Sequence, residues 1–270
     1  MPELTTAFSS CPNDTFIFHA MLHQCTDTRE LRFVPYISDV EELNIKAFSE
    51  TFHITKLSFY AYLQLRDRYA LLDSGSALGY GCGPMLVAKS PPKFWADAKI
   101  AIPGKYTTAH LLLKLWCPEI RHTEAVRFDH ILPGIASGKY DAGLIIHEGR
   151  FVYPKYDCIK ILDLGEWWEA ETSLPIPLGC IAIRKDPGTI QHKRAVESAL
   201  KASVAYAFEN PRASEEFVRF HAKELEETVI NDHIRLYVND FTISLGETGI
   251  KAIQTLEEMA RCRNILYSEL

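Results

Sequence analysis

His147 is the side chain best placed for proton chemistry near neutral pH. It follows the apolar run Leu144-Ile145-Ile146 in the stretch from Asp141 to Phe151. An unbroken run of that kind reads as a central strand covered on both faces, and open α/β sheets present ligands beyond the carboxyl ends of such strands. An imidazole there can take a proton as a general base; a hydrogen-bonded loop histidine is the competing reading. Three other clusters share this placement. Lys56-Leu57-Ser58 ends the strand His53–Leu57, before a helix over Phe59–Leu65, and sets a lysine beside helical N–H groups that favour an anion. The alternative for Lys56 is a surface lysine that snorkels to solvent. Thr107-Thr108-Ala109 opens a helix running to Trp116, with free N–H groups and two hydroxyls in the first turn, either an anion cradle or a plain threonine cap. Asn13 and Asp14 lie in the loop Ser9–Thr15 that turns the first strand into a helix, as caps or as ligand contacts.

The elements that must position these groups alternate. Strands are expected over Leu4–Phe8, Leu31–Tyr36, His53–Leu57, Lys99–Ile102, Glu124–Phe128 and Ile159–Leu164, with helices between them, one capped by Asp39 or Ser38 and running through Phe48 and one from His130 to Ser137 capped by Asp129. The glycine-rich stretch from Ser74 to Pro84 leads into an extended run, Met85–Ala88, and not into a helix, so it does not support a dinucleotide turn. It reads as a hinge, and Leu174 to Gly179 as a second extended connector before a strand Cys180–Arg184. The remainder reads as helical: a long helix from Pro187, another from Asn210-Pro211, and a last one whose approach Gly246 and Gly249 interrupt.

At 270 residues the chain can bury one large or two modest cores. A net charge of -6 without a basic run makes nucleic acid an unfavourable partner. The first ten residues lack a signal-peptide pattern, and the longest uncharged segment, from Ser74 to Ala88, is broken by glycines and Pro84. No membrane span and a cytoplasmic location are therefore expected. Seven cysteines at scattered spacings fit reduced thiols. His19 and His23 are four apart without a third ligand, so no metal site is expected.

Two α/β halves, two extended crossings and a helical tail describe a two-lobed fold like that of type 2 periplasmic binding proteins, with the ligand cleft between lobes. The larger lobe is expected over 1–88 and 180–270, and the smaller over 89–179. The motifs Ser-Cys-Pro-Asn-Asp-Thr-Phe at 10–16, Thr-Lys-Leu-Ser at 55–58, Pro-Gly-Lys-Tyr-Thr-Thr-Ala at 103–109 and Gly-Leu-Ile-Ile-His-Glu at 143–148 resemble the 1,4-dihydroxy-6-naphthoate synthase family of the futalosine route to menaquinone. Pro-Leu-Gly at 177–179 and Tyr-Val-Asn at 237–239 look similar too. The resemblance implies a lyase that converts cyclic dehypoxanthinyl futalosine to 1,4-dihydroxy-6-naphthoate by carbon–carbon cleavage without a cofactor. It implies that His147 is the base, and that Lys56, Leu57, Ser58, Thr107, Thr108 and Ala109 contact a small carboxylate substrate. Oligomeric state is left open. The rival readings are a chorismate dehydratase of the same pathway and a solute-binding protein without chemistry.

Overall fold

The structure is a computed structural model that describes residues 2–222 and 226–266. Its first half alternates strand and helix: β1 (Glu3–Ser9), α1 (Pro12–Leu22), β2 (Arg32–Ser38), α2 (Val40–Ala47), β3 (Ile54–Ser58) and α3 (Phe59–Gln64). Helical crossovers of this kind let β1 pair in parallel with both β2 and β3. Of the two expected caps it is Asp39 that starts α2, its carboxylate accepting the N–H of Glu41. Two short strands the sequence reading did not anticipate, β4 (Tyr69–Leu71) and β5 (Ala77–Gly79), come next.

The second sheet is built from β6 (Met85–Ala88), β7 (Lys99–Ile102), β8 (His122–Ala125), β9 (Ala142–Ile145) and β10 (Ile159–Asp163). Its helices are α4 (Thr108–Trp116), α5 (Ile131–Ala136), α6 (Gly149–Val152) and α7 (Leu164–Thr172). The chain then returns along β11 (Ile176–Arg184) and closes with α8 (Pro187–Ile190), α9 (Lys193–Glu209), α10 (Glu215–His221), α11 (Glu227–Tyr237), α12 (Asp240–Ile243) and α13 (Gly246–Cys262).

Strand order is β2-β1-β3-β11-β4 with β5 also on β11 in one sheet, and β10-β6-β9-β7-β8 in the other. Each sheet is parallel apart from the strand that carries the chain across: β6 runs antiparallel to β9 and β10, and β11 to β3, β4 and β5. Strand pairing shows which sheet each crossing segment joins. Met85–Ala88 belongs to the second sheet, and β11 joins the first sheet from Ile176, so most of the supposed connector Leu174–Gly179 is already strand. Where the first crossing meets the start of α7, Gly83 lies so close to Gly165 that a Cβ on Gly83 would fall 2.2 Å from the Gly165 nitrogen.

Other corrections are local. Asp129 does not cap α5; it sits in a short 3-10 turn, Phe128–His130, where its carboxylate takes two hydrogen bonds from Arg127 at 2.7 Å each. The expected helix from Pro187 is two helices broken at Gln191 and His192, and that after Pro211 starts at Glu215. Gly246 and Gly249 lie inside α13 and do not interrupt it.

One apolar cluster joins Leu57 and Phe59 of the first lobe to Leu112, Leu144 and Trp168 of the second and to Leu256 of α13. A second cluster packs Phe8, Phe18 and Ile181 under α9, and a third packs Val87, Ala101 and Ile145 under α5. The central strands are thus covered on both faces, which is why every residue of β3 and β9 is buried, the polar Thr55, Lys56 and Ser58 included.

Candidate active site

The carboxyl ends of β1 and β3 form one wall of the cleft. Helix α1 begins at Pro12, whose missing N–H costs nothing in the first turn, two residues earlier than expected. Asn13 and Asp14 are consequently buried inside that turn and cap nothing. Asp14 instead collects donors: Oδ2 accepts the Ser9 N–H at 3.2 Å and the Ser9 hydroxyl at 2.6 Å. Oδ1 accepts the Asn13 amide at 2.9 Å and the Lys56 ammonium at 2.7 Å. Lys56 is 5% exposed and Asp14 0%. A charge this deep needs a partner, and Lys56 already has one, so it is neither a snorkelling surface group nor an unmatched cation waiting for an anion. Because Asn13 points its amide nitrogen at a carboxylate, its oxygen is left facing His233 Nε2 at 3.0 Å. His233 must therefore donate from Nε2 and carry a bare Nδ1, a buried atom with no partner.

The opposite wall comes from the second sheet. β9 stops at Ile145, and His147 follows two residues later with φ 55°, in the left-handed region. Its Nδ1 lies 3.3 Å from Cys11 Sγ, across the cleft. The Phe128 ring meets its imidazole edge-on at 5.0 Å, and the His233 ring lies nearly parallel at 6.0 Å. The residue keeps partial exposure, yet its Nε2 is shut off from solvent and has no hydrogen-bond partner. Burial lowers the imidazole pKa to about 4; nearby Asp14 opposes the shift and Lys56 adds to it. The ring is therefore neutral at pH 7, the state a base requires.

At the start of α4 the two threonine hydroxyls are already committed. Thr107 caps the helix by accepting the His110 N–H at 3.3 Å and donates to the Gly104 carbonyl at 2.9 Å. Thr108 donates to the Leu178 carbonyl at 2.7 Å and accepts the Tyr60 N–H at 3.2 Å, tying the second lobe to the first. What remains for a ligand are the backbone N–H groups of Thr108 and Ala109, which have no intrahelical acceptor. The start of α3 is different: the Ser58 N–H bonds Asn44 Oδ1 at 2.9 Å, and its hydroxyl takes the Asn44 amide at 3.1 Å.

Between the walls lies a partly open cavity. Every expected site residue lines it except Leu57, which is wholly buried in the shared core. Tyr237, Cys82 and Leu178 close it at the hinge side. The sequence reading missed Cys11, His233 and Glu41. Glu41 accepts the Tyr106 N–H at 3.0 and 3.2 Å, fastening α2 to the turn before α4, and a Cβ on Gly104 would lie 2.4 Å from the Glu41 carboxyl carbon. Burial raises the Glu41 pKa. A signal for Cys11 existed in principle, since it occupies a helix start where a capping residue is usual. None existed for His233, which reads as part of an amphipathic helix.

A model of a protein family described as menaquinone biosynthesis matches residues 4–262. The chain belongs to the menaquinone biosynthesis family. Within it, a relative from Thermus thermophilus named 1,4-dihydroxy-6-naphthoate synthase is 44% identical over 98% of this chain and 96% of its own length. One of the same name from Streptomyces coelicolor is 37% identical over 97% and 94%. A crystal structure of an Archaeoglobus fulgidus protein superposes with a TM-score of 0.91 at 36% identity, over 97% of this chain and 98% of that one. The alkanesulfonate-binding protein of Xanthomonas axonopodis pv. citri, at 14% identity and a TM-score of 0.73 over 99% and 95%, shares the fold. This menaquinone biosynthesis protein thus has the two-lobed architecture of periplasmic binding proteins. Among the described residues, no helix is long and apolar enough to cross a membrane, and no group of three or more His, Cys, Asp or Glu could hold a metal ion. His19 and His23 stack on each other at 4.4 Å beside Phe217.

Proposed function

We propose that this chain is a cytoplasmic 1,4-dihydroxy-6-naphthoate synthase, a lyase that cleaves a carbon–carbon bond of cyclic dehypoxanthinyl futalosine without a cofactor. The observation that carries the reading is His147 Nε2: a buried, unpartnered and neutral imidazole nitrogen on a residue that lines the cavity between the lobes. Substrate and product share an aromatic carboxylate. The free N–H groups of Thr108 and Ala109 at the positive end of α4 suit it better than Ser58, whose N–H is already taken by Asn44. With the carboxylate held there, His147 abstracts a proton, the ring opens, the sugar-derived fragment leaves, and aromatisation drives the sequence forward. The imidazolium formed is stabilised by Asp14, while burial, with a smaller contribution from Lys56, keeps the resting ring neutral. Contacts between the lobes, through Thr108 and Glu41, keep water from the intermediate.

The test is to incubate the purified chain with cyclic dehypoxanthinyl futalosine and follow naphthoate release by chromatography. Stoichiometric conversion over many turnovers is expected. Substrate recovered unchanged, with binding intact, would leave a binding protein without chemistry.

A further inference from the structure

We infer that Cys11 is the positioning residue of His147: its sulfur accepts the Nδ1–H of the imidazole and so leaves Nε2 bare for the substrate. The inference rests on the base role proposed for His147. Cys11 stands at the N-cap of α1 with extended backbone angles, the place where Ser, Thr, Asp or Asn turns a side-chain oxygen back onto the helix. The thiol makes no such bond and lies 3.3 Å from His147 Nδ1, 136 residues away in the chain.

Its position is set from behind. The Cys11 N–H donates to Ser9 Oγ at 3.3 Å, and the Ser9 hydroxyl donates to Asp14 Oδ2 at 2.6 Å. The Cys11 carbonyl accepts the N–H groups of Asp14 and Thr15 at 3.1 Å each. A continuous chain therefore runs from the Lys56–Asp14 ion pair through Ser9 and Cys11 to the imidazole.

A thiol beside Nδ1 allows two polarities, S–H to a bare Nδ1 or Nδ1–H to the sulfur. The other nitrogen decides between them. Nε2 has no partner in either state, and only the Nδ1–H state leaves it the lone pair that the base role requires. With the proton on Nδ1 the sulfur accepts it, and Nε2 keeps only a lone pair. Burial, with Glu148 and Asp14 close by, holds the thiol well above its usual pKa, so it remains neutral. It is therefore no nucleophile. A neutral acceptor has a consequence that a carboxylate would not: it orients the ring without drawing a proton onto it, and the base stays unprotonated.

The test combines ¹⁵N-histidine spectra of the ligand-free protein with steady-state kinetics for Cys11→Ala and Cys11→Ser. Wild type is expected to show His147 protonated on Nδ1 and bare on Nε2. Cys11→Ala should give a tautomer mixture and a kcat lower by about tenfold with KM within twofold, the size of one lost orienting hydrogen bond. Cys11→Ser should restore the wild-type tautomer and most of kcat. An unchanged tautomer in Cys11→Ala, an unchanged kcat, or a serine that restores neither overturns the inference. Because the spectra need no substrate, a wild type that has the Nδ1–H tautomer but fails to release naphthoate would sink the functional reading while upholding the role of the thiol.

Discussion

The two walls of the cleft are built from opposite kinds of chemistry. On the first-lobe side three cavity-lining residues have their polar groups matched: Asp14 takes four donors, Lys56 has its carboxylate, and Ser58 has Asn44 at both its N–H and its hydroxyl. On the second-lobe side the open atoms are His147 Nε2 and the N–H groups of Thr108 and Ala109. A saturated wall is rigid and chemically quiet; an open wall retains the capacity to bond that a substrate needs. Damage to the first should therefore register in stability, and damage to the second in turnover and affinity.

The largest effect expected is on turnover. His147→Asn keeps a polar group of similar size but removes the titratable nitrogen, so single-turnover chemistry should fall by roughly two to four powers of ten while substrate affinity is kept. Wild-type chemistry in this variant would move the reactive atom to the other wall. Lys56→Met probes the saturated side. By leaving Asp14 without its cation in a buried place, it should lower unfolding free energy by about 3–5 kcal/mol in urea titrations. A variant as stable as wild type, but weak in binding, would mean that Lys56 belongs with the open groups after all. Ala109→Pro sharpens the comparison further, since proline is tolerated in a first helical turn and deletes one N–H. Calorimetry should show affinity for the naphthoate carboxylate reduced by roughly ten- to a hundredfold, as for a hydrogen bond to a charged group, with little change in melting temperature.

The smallest effect expected is a displaced pH limb. With the His147 pKa lowered from 6.5 to about 4, the rate should stay level as pH falls through 6.5 and decline only near 4. The linkage has a definite sign. The unfolded imidazole binds its proton near 6.5 while the folded one stays neutral, so the stability tied to the neutral ring is full above 6.5 and is lost as pH falls toward 4. His110, lowered to about 4 by burial, and His233, lowered by burial, act in the same direction. A rate that halves near 6.5 would show the ring to be solvated and the open wall to be wet.

Much of this was legible in the residues. Periodicity and cap chemistry located β1, β3, β7 and β9, the cap Asp39 before α2 and the cap Thr107 before α4 within a few residues, because those signals are local. The rule that ligands sit beyond strand ends then collected Lys56, Ser58, Thr107, Thr108 and His147. The same residues line the cavity. The sheet to which β6 belongs was not legible, since an apolar run does not name its partner strand.

Local residue patterns set the elements and the places where chemistry could stand. Tertiary structure alone decided which of those groups were already matched and which remained open. Lys56 finds Asp14 from 42 residues away, Cys11 finds His147 from 136 and Asn13 finds His233 from 220. The valence of a buried polar atom depends on what lies within about 3 Å of it, and for contacts this remote that is set by how strands and helices pack in three dimensions and by nothing in the neighbouring sequence.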